Sequence, residues 1–196
     1  MQDGSPKRLI TLLALLALAA PLAFAQTSTW VPDKAHSEVD FTVLHMSLSN
    51  VRGHFGNIGG SVVLSPDISK SSVNVTIDVG SVDTGVSARD NDLRSPNFFD
   101  VAQFPTATFI STSVTKSGAN HLTVAGNLTL HGVTKPVVLE VEGPTGPATG
   151  MDRRRHAGFA ATTTISRTAF GIGTKYPPQI VGDEIKLTID LDVAQQ

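Results

Sequence analysis

The groups in this chain that could do chemistry are six histidines and a few isolated charges. His36, His45, His54, His121, His131 and His156 lie far apart, with no H-x-x-x-H and no His–Glu pair at the helical spacing of a metal site. His121 and His131 fall in or beside turns and His156 in a basic loop, which reads as three solvated rings. His45 is different. In DFTVLHMSLSNVRGHFG, Asp40 to Gly56, a period of two puts Val39, Phe41, Val43 and His45 on one face and Asp40, Thr42, Leu44 and Met46 on the other. An imidazole that ends an apolar stripe fits a catalyst, a metal ligand, a core residue with a satisfied proton, or the polar end of a binding cavity.

Arg167 poses the same question on another stripe. Ala157, Phe159, Ala161, Thr163, Ile165 and Arg167 share one face. A guanidinium at the end of an inward wall needs a carboxylate, backbone carbonyls or a polar ligand group, because burying it alone costs several kcal/mol. Asp83, Asp90 and Asp100 are the carboxylate candidates. A structural ion pair and a ligand contact both remain open here.

Other chemical signatures dissolve on inspection. Ser113-Val114-Thr115-Lys116 has the S-x-x-K spacing of an acylating serine, but that motif needs a helix, and here it runs from a strand end into a turn. There is no G-x-S-x-G, and Asp90-Asn91-Asp92 lacks the glycine and closing glutamate of a calcium loop. Asp152-Arg153-Arg154-Arg155-His156 could touch an anionic membrane, at about 1 kcal/mol per charge. A solvated charge run is the simpler account. The chain has no cysteine, which removes thiol catalysis, thiolate metal sites, disulfides and lipidation at a cleavage site. A formal net charge of −2 gives no footprint for nucleic acid.

The elements that must position these groups are strands. Residues 1–25 are set aside first: Lys7 and Arg8 precede an apolar run from Leu9 to Ala20, and Ala23-Phe24-Ala25 fits a small-x-small cleavage site. This is the pattern of a cleaved secretory signal peptide, which leaves residues 26–196 as a single domain. Alternation then dominates. SVNVTIDV, HLTVAGNLTL, PVVLEVEG and EIKLTIDLDV each set aliphatic residues against polar ones, as half-buried antiparallel strands do. Weaker strands are expected at 39–48, 61–64, 106–112 and 157–167. Turn chemistry at Gly59-Gly60, Pro66-Asp67, Ser117 to Asn120 and His131-Gly132 separates most of them. About eight strands with short connections fit a closed up-and-down barrel or a two-sheet sandwich. Between Asp83 and Pro105 the rhythm breaks. Ser87 is placed to cap a short helix through Leu93 that Pro96 ends, and Phe98, Phe99 and Phe104 give the segment apolar weight. It reads as a lid or pocket wall, or as a plug at one end of a barrel.

With these pieces in order, the chain resembles the YceI family of exported lipid-binding proteins. The resemblance runs from TWVPDKAHSEVDFTVLHM through VRGHF, SVDTG, RDNDLRSPNFFD, FP-x-A-TF and GNLTLHGVTKPV to ISRTAFGI, and so covers nearly all of residues 26–196. It implies an all-β fold: an eight-stranded antiparallel up-and-down barrel, lipocalin-like, with a long apolar channel and a short helix in the 84–105 excursion. It also implies a periplasmic protein that holds a polyisoprenoid, an isoprenoid quinone or a fatty-acid amide, in some members under stress. His45, Arg52, Arg89, Asp90 and Arg167 match polar positions of the family's motifs and are the head-group candidates. Asn91-Asp92 departs from relatives that carry His or another polar residue there, which leaves head-group preference open.

The expected reading is a non-catalytic carrier. Phe41, Val43, Val75, Ile77, Phe98, Phe99, Phe109, Leu128, Phe159 and Ile165 are the inward residues expected to line its channel. No cofactor or metal is implied beyond a bound isoprenoid or fatty-acyl lipid. Transient membrane contact and a homodimer stay open as partners. A tail of ~20 carbons offers ~16 kcal/mol gross at ~0.8 kcal/mol per methylene, and realised efficiencies bring this to roughly micromolar affinity. The rivals are an enzyme using His45 with Asp90 or Arg167, and a structural stress protein whose barrel is filled by its own side chains.

Overall fold

Along β5 (Ser72–Asp78), Val73, Val75 and Ile77 turn inward while Asn74 and Asp78 meet solvent, and the rest of the molecule repeats this device. The structure is a computed structural model describing residues 26–196; the expected signal peptide lies outside the described residues. The other strands are β1 (Ser28–Pro32), β2 (Glu38–His45), β3 (Ser49–Phe55), β4 (Ile58–Leu64), β6 (Thr106–Lys116), β7 (His121–Leu130), β8 (Val133–Thr149), β9 (Arg155–Ser166) and β10 (Val181–Gln195). The helix α1 spans Ser87–Arg94.

Ten segments make an eight-stranded antiparallel barrel because two of its strands are each interrupted once. β1 and β2 both pair with β10, at Trp30↔Gln195 and at Phe41↔Leu187, and so form one wall strand. Between them the chain bulges after Pro32, which has no amide to donate to a ladder. Asp192 ties the bulge down: its carbonyl accepts Asp33 N–H at 2.8 Å and the Ser37 hydroxyl at 2.9 Å. β3 and β4 likewise form one strand, broken at Gly56 and Asn57, where Asn57 has a φ of 53°. β1 pairs with β4 and β2 with β3, which closes the ring begun by β4–β5.

Only β3 has a single full strand neighbour. β5 stops at Asp78, so the outer edge of β3 meets the start of the excursion through one bridge, His54↔Asp83. The excursion opens with a 3-10 turn at Val79–Ser81, runs through α1 and reaches β6 at Thr106. Val86, not Ser87, occupies the N-cap position, and Ser87 is the first helical residue. Gly59 and Gly60 are also not a turn. They lie inside β4, where Gly60 has a φ of 108° and an added Cβ would sit 2.2 Å from the Asn74 carbonyl oxygen.

The barrel has two unlike ends. At one, Trp30 is fully buried among Val62, Leu64, Ala157 and Val193. At the other, Phe41, Phe55, Val79, Val82 and Ala107 pack under Leu93 and Phe99 of the excursion. This lid end also carries the β2–β3 and β7–β8 turns and the segment between β9 and β10.

Candidate ligand-binding channel

Two apolar chambers occupy the barrel. The one toward the Trp30 end holds about 1050 Å³ of space free of protein atoms, counting what opens to solvent, and its walls include Val75, Phe109, Val124, Leu139 and Phe159. Among the described residues its polar wall residues are Ser71, Ser72 and Thr163. The chamber toward the lid end holds about 830 Å³, with Phe41, Val43, Leu93, Phe98, Phe99 and Ile165 among its walls. Val39, Ile77, Leu128 and Leu187 face both and form a waist where the chambers meet. All ten apolar residues expected at the channel stand on these walls.

Two glycines seat aromatic rings against the wall. The Phe109 ring lies over Gly126, where an added Cβ would fall 2.4 Å from Cζ, and the Phe41 ring lies over Gly53, with a corresponding distance of 2.6 Å. A side chain at either glycine would push its ring toward the lumen. The same virtual carbons would meet the carbonyl oxygens of Ile110 and Asp83 at 2.7 Å, so the backbone is closely approached there too.

The polar candidates are placed otherwise than expected. His45 shares the inward parity of Phe41 and Val43 but lies at the last residue of β2, past the chamber walls, and is exposed. Arg52 alternates with Val51, Gly53 and Phe55 and pairs with Thr42, so it points outward. Arg89 and Asp90 serve the excursion itself. Asp90, buried, accepts the Thr84 N–H at 2.9 Å, and Arg89 donates from Nε to Thr84 Oγ1 at 2.7 Å and from Nη2 to the Thr84 carbonyl at 2.9 Å. Among the five, only Arg167 faces a chamber.

Arg167 is 3% exposed, and among the described residues no carboxylate holds it. Nε donates to the Gly182 carbonyl at 3.0 Å, Nη1 to Ile172 at 3.0 Å and Gly173 at 2.7 Å, and Nη2 to Tyr176 and Val181 at 2.7 Å each. A guanidinium has five N–H groups, and all are spent on backbone carbonyls of the segment that closes the lid end. Asp83, Asp90 and Asp100 are not its partners. Burial pushes its pKa down, opposed by the charge of Asp183. Around this knot the last connection is pinned to the excursion: Phe98 stacks on Tyr176 with ring centroids 5.2 Å apart, and Lys175 Nζ donates to Asn97 Oδ1.

Two of the three histidines expected to be solvated are engaged. His131 lies edge-on to Phe104 with centroids 4.6 Å apart and shares a hydrogen bond of 3.2 Å with the Phe170 carbonyl. His156 sits between Asp192, 2.6 Å from Nδ1, and Asp152, 3.1 Å from Nε2, and is pulled upward in pKa chiefly by the bond to Asp192. Both partners come from distant strands or a turn, so single-strand periodicity carries no sign of them. Among the described residues one group, Glu38, Asp40 and His54, brings possible metal-ligand atoms within 4.8 Å of one another, on the outer face of β2 and β3.

The YceI-like domain matches residues 30–193, almost the whole described chain. The chain belongs to the YceI-like family. Protein YceI of Salmonella newport is 41% identical over 162 residues, covering 82% of this chain and 83% of that protein. Among solved structures, the crystal structure of Burkholderia cenocepacia BcnA superposes with a TM-score of 0.74 at 27% identity, covering 82% of this chain and 98% of that one. A polyisoprenoid binding domain from Saccharophagus degradans shares the fold at a TM-score of 0.63 and 16% identity, covering 87% of this chain and all of that one. The barrel with one short helix is therefore the YceI-like fold.

Proposed function

We propose that this protein is an exported, non-catalytic carrier that holds one long-chain amphiphile, a polyisoprenoid, isoprenoid quinone or fatty-acid amide, along the barrel axis. The observation that carries this reading is the pair of chambers joined at the Val39–Ile77–Leu128–Leu187 waist, walled almost wholly by hydrocarbon. Such a lumen has a large apolar area to cover and few polar groups to satisfy, which suits a thin tail. The ten apolar wall residues are its binding surface. With the Arg167 donors already engaged, the tail supplies the affinity and the head group is left to the mouth. The leader-like residues 1–25 support export to the periplasm.

Nothing on the walls favours chemistry. His45 is exposed at a strand end, Asp90 is committed to Thr84 and Arg167 to five carbonyls, so these three do not converge as an acid–base set. The volume of the chambers argues against a barrel filled by its own side chains. The test is to purify the protein from a bacterial periplasm without detergent and combine native mass spectrometry with organic extraction. A stoichiometric lipid-like adduct is expected. A clean apo mass, with no uptake of added isoprenoid or fatty-acid amide, would overturn the carrier reading.

A further inference from the structure

The β2–β3 turn at the lid end is built from the wrong residues for its geometry. Leu48 N–H bonds to the His45 carbonyl at 3.0 Å across Met46 and Ser47, whose φ angles are 53° and 56°. Two successive residues in the left-handed region make a type I′ turn, which Asn-Gly fills at least cost. Methionine and serine hold it here against their own preference, and such outliers point from strain toward function.

What the turn presents is apolar. Leu48 is 82% exposed, Met46 49% and Leu44 43%. Ile180, 40% exposed, joins them through the bond from Met46 N–H to its carbonyl at 2.9 Å. The neighbours of this tip within the same strands, Val43 and Val181, are walls of the lid-end chamber. From Val43 to Phe55 and from Tyr176 to Gly182 there is no carboxylate, while His45 and Arg52 are exposed beside the apolar cluster. A hydrophobic tip flanked by the Arg52 guanidinium, with no acid in either segment, complements an anionic lipid surface. The opposite end does not. There the arginines Arg153, Arg154 and Arg155 are exposed, with Arg154 tied to Asp152 at 2.6 Å. Met151 is the single exposed apolar side chain beside them, so that end has charge without an apolar cluster to insert.

We propose that Leu44, Met46, Leu48 and Ile180 form a docking tip that inserts into an anionic bilayer, setting the lid-end chamber against the membrane from which its lipid is drawn. The purpose assigned to the tip rests on the carrier reading, but docking is measured separately from lipid uptake. The full exported protein is mixed with unilamellar vesicles of phosphatidylethanolamine and phosphatidylglycerol and the bound fraction is read by flotation. Met46→Ser with Leu48→Ser should weaken partitioning at least about tenfold, since each apolar side chain withheld from the interface removes a sizeable share of the binding. Met46→Asn with Ser47→Gly, which relaxes the turn and keeps the fold, should weaken it too while raising the melting temperature. Met151→Ser should leave it unchanged.

Absence of vesicle binding by the wild type, or equal binding by the tip variants, overturns the proposal. So does a tip variant that converts a dimer to a monomer in light scattering without changing flotation, because a second copy then covers the tip. If the wild type floats and the tip variants do not, while native mass spectrometry finds no lipid, the docking surface stands and the carrier reading falls.

Discussion

Arg167 and Asp183 are neighbours of opposite charge that do not form an ion pair. The Asp183 carboxylate accepts the Thr168 hydroxyl at 2.6 Å and the Thr168 N–H at 3.0 Å, while its backbone carbonyl takes the Arg167 N–H at 2.9 Å. The guanidinium is left free to gather five carbonyls, and the segment from Thr168 to Gly182 is folded around it. The acid and the base thus brace the same loop separately.

Lysine offers three donors where arginine offers five, so Arg167→Lys leaves at least two buried carbonyls unserved. At about 1–3 kcal/mol for each, the variant should lose about 2–6 kcal/mol in urea denaturation, and Arg167→Met should lose more. Tail binding by the folded fraction should be little altered, because no Arg167 donor is available to a ligand.

The waist predicts a dependence on tail length. Leu128→Trp fills the junction of the two chambers, confining a tail to one of them. Each methylene that can no longer be buried removes about 0.8 kcal/mol. Calorimetry with amides of increasing chain length should show affinity rising with length in the wild type and levelling off early in the variant. A parallel rise in both would place the tail elsewhere.

His156 links the β8–β9 turn to β10, and its pKa is raised in the folded protein by Asp192 first and Asp152 second. A raised histidine pKa stabilises fully below the ordinary value of 6.5 and loses that contribution as pH climbs through the folded value. Asp152, held at about 2 by the Arg154 N–H and side chain and then by His156, contributes above its ordinary 3.8 and loses its part as pH falls toward 2. The link is therefore strongest between about pH 4 and 6.5. Melting temperature followed against pH should decline above that window in the wild type and less steeply in His156→Gln.

The single tryptophan reports on the other end of the barrel. Trp30 is 0% exposed and its indole N–H donates to Ser28 Oγ at 2.8 Å. Its emission should be blue-shifted and poorly quenched by acrylamide, and Trp30→Ala should cost about 3–5 kcal/mol in stability. Strong quenching in the folded state would contradict this packing.

The walls were legible in the sequence because strand parity is a local property. Val75, Ile77, Phe109 and Leu128 declare their face through their immediate neighbours. Arg52, which the family resemblance had made a head-group candidate, stands outside, between Val51 and Gly53 on a strand that was not expected there. What parity cannot supply is height along the barrel axis. His45 has the inward phase but follows Val43, the last wall residue of β2, and is exposed. Arg167 lies one residue past β9 with helical dihedrals, φ −63° and ψ −39°, so the strand pattern no longer governs it. Its partners are carbonyls, which every residue carries and no composition reveals. β1 and β3 escaped for a related reason: as short pieces of interrupted strands they owe their place to their partners, β4 and β10 for β1 and β2 for β3, not to their own alternation.

The seam beside β3 gives the barrel an unequal resistance to opening. Parting β9 from β10 would break a ladder running from Glu184↔Ser166 to Ala194↔His156. Parting β3 from the excursion breaks the reciprocal pair between His54 and Asp83, at 2.9 and 3.0 Å, together with the contacts of Ser81 to Gly56. A thermal fluctuation that widens the wall will therefore concentrate there. The cylinder behaves less like a tube with a mouth than like a cuff with a clasp.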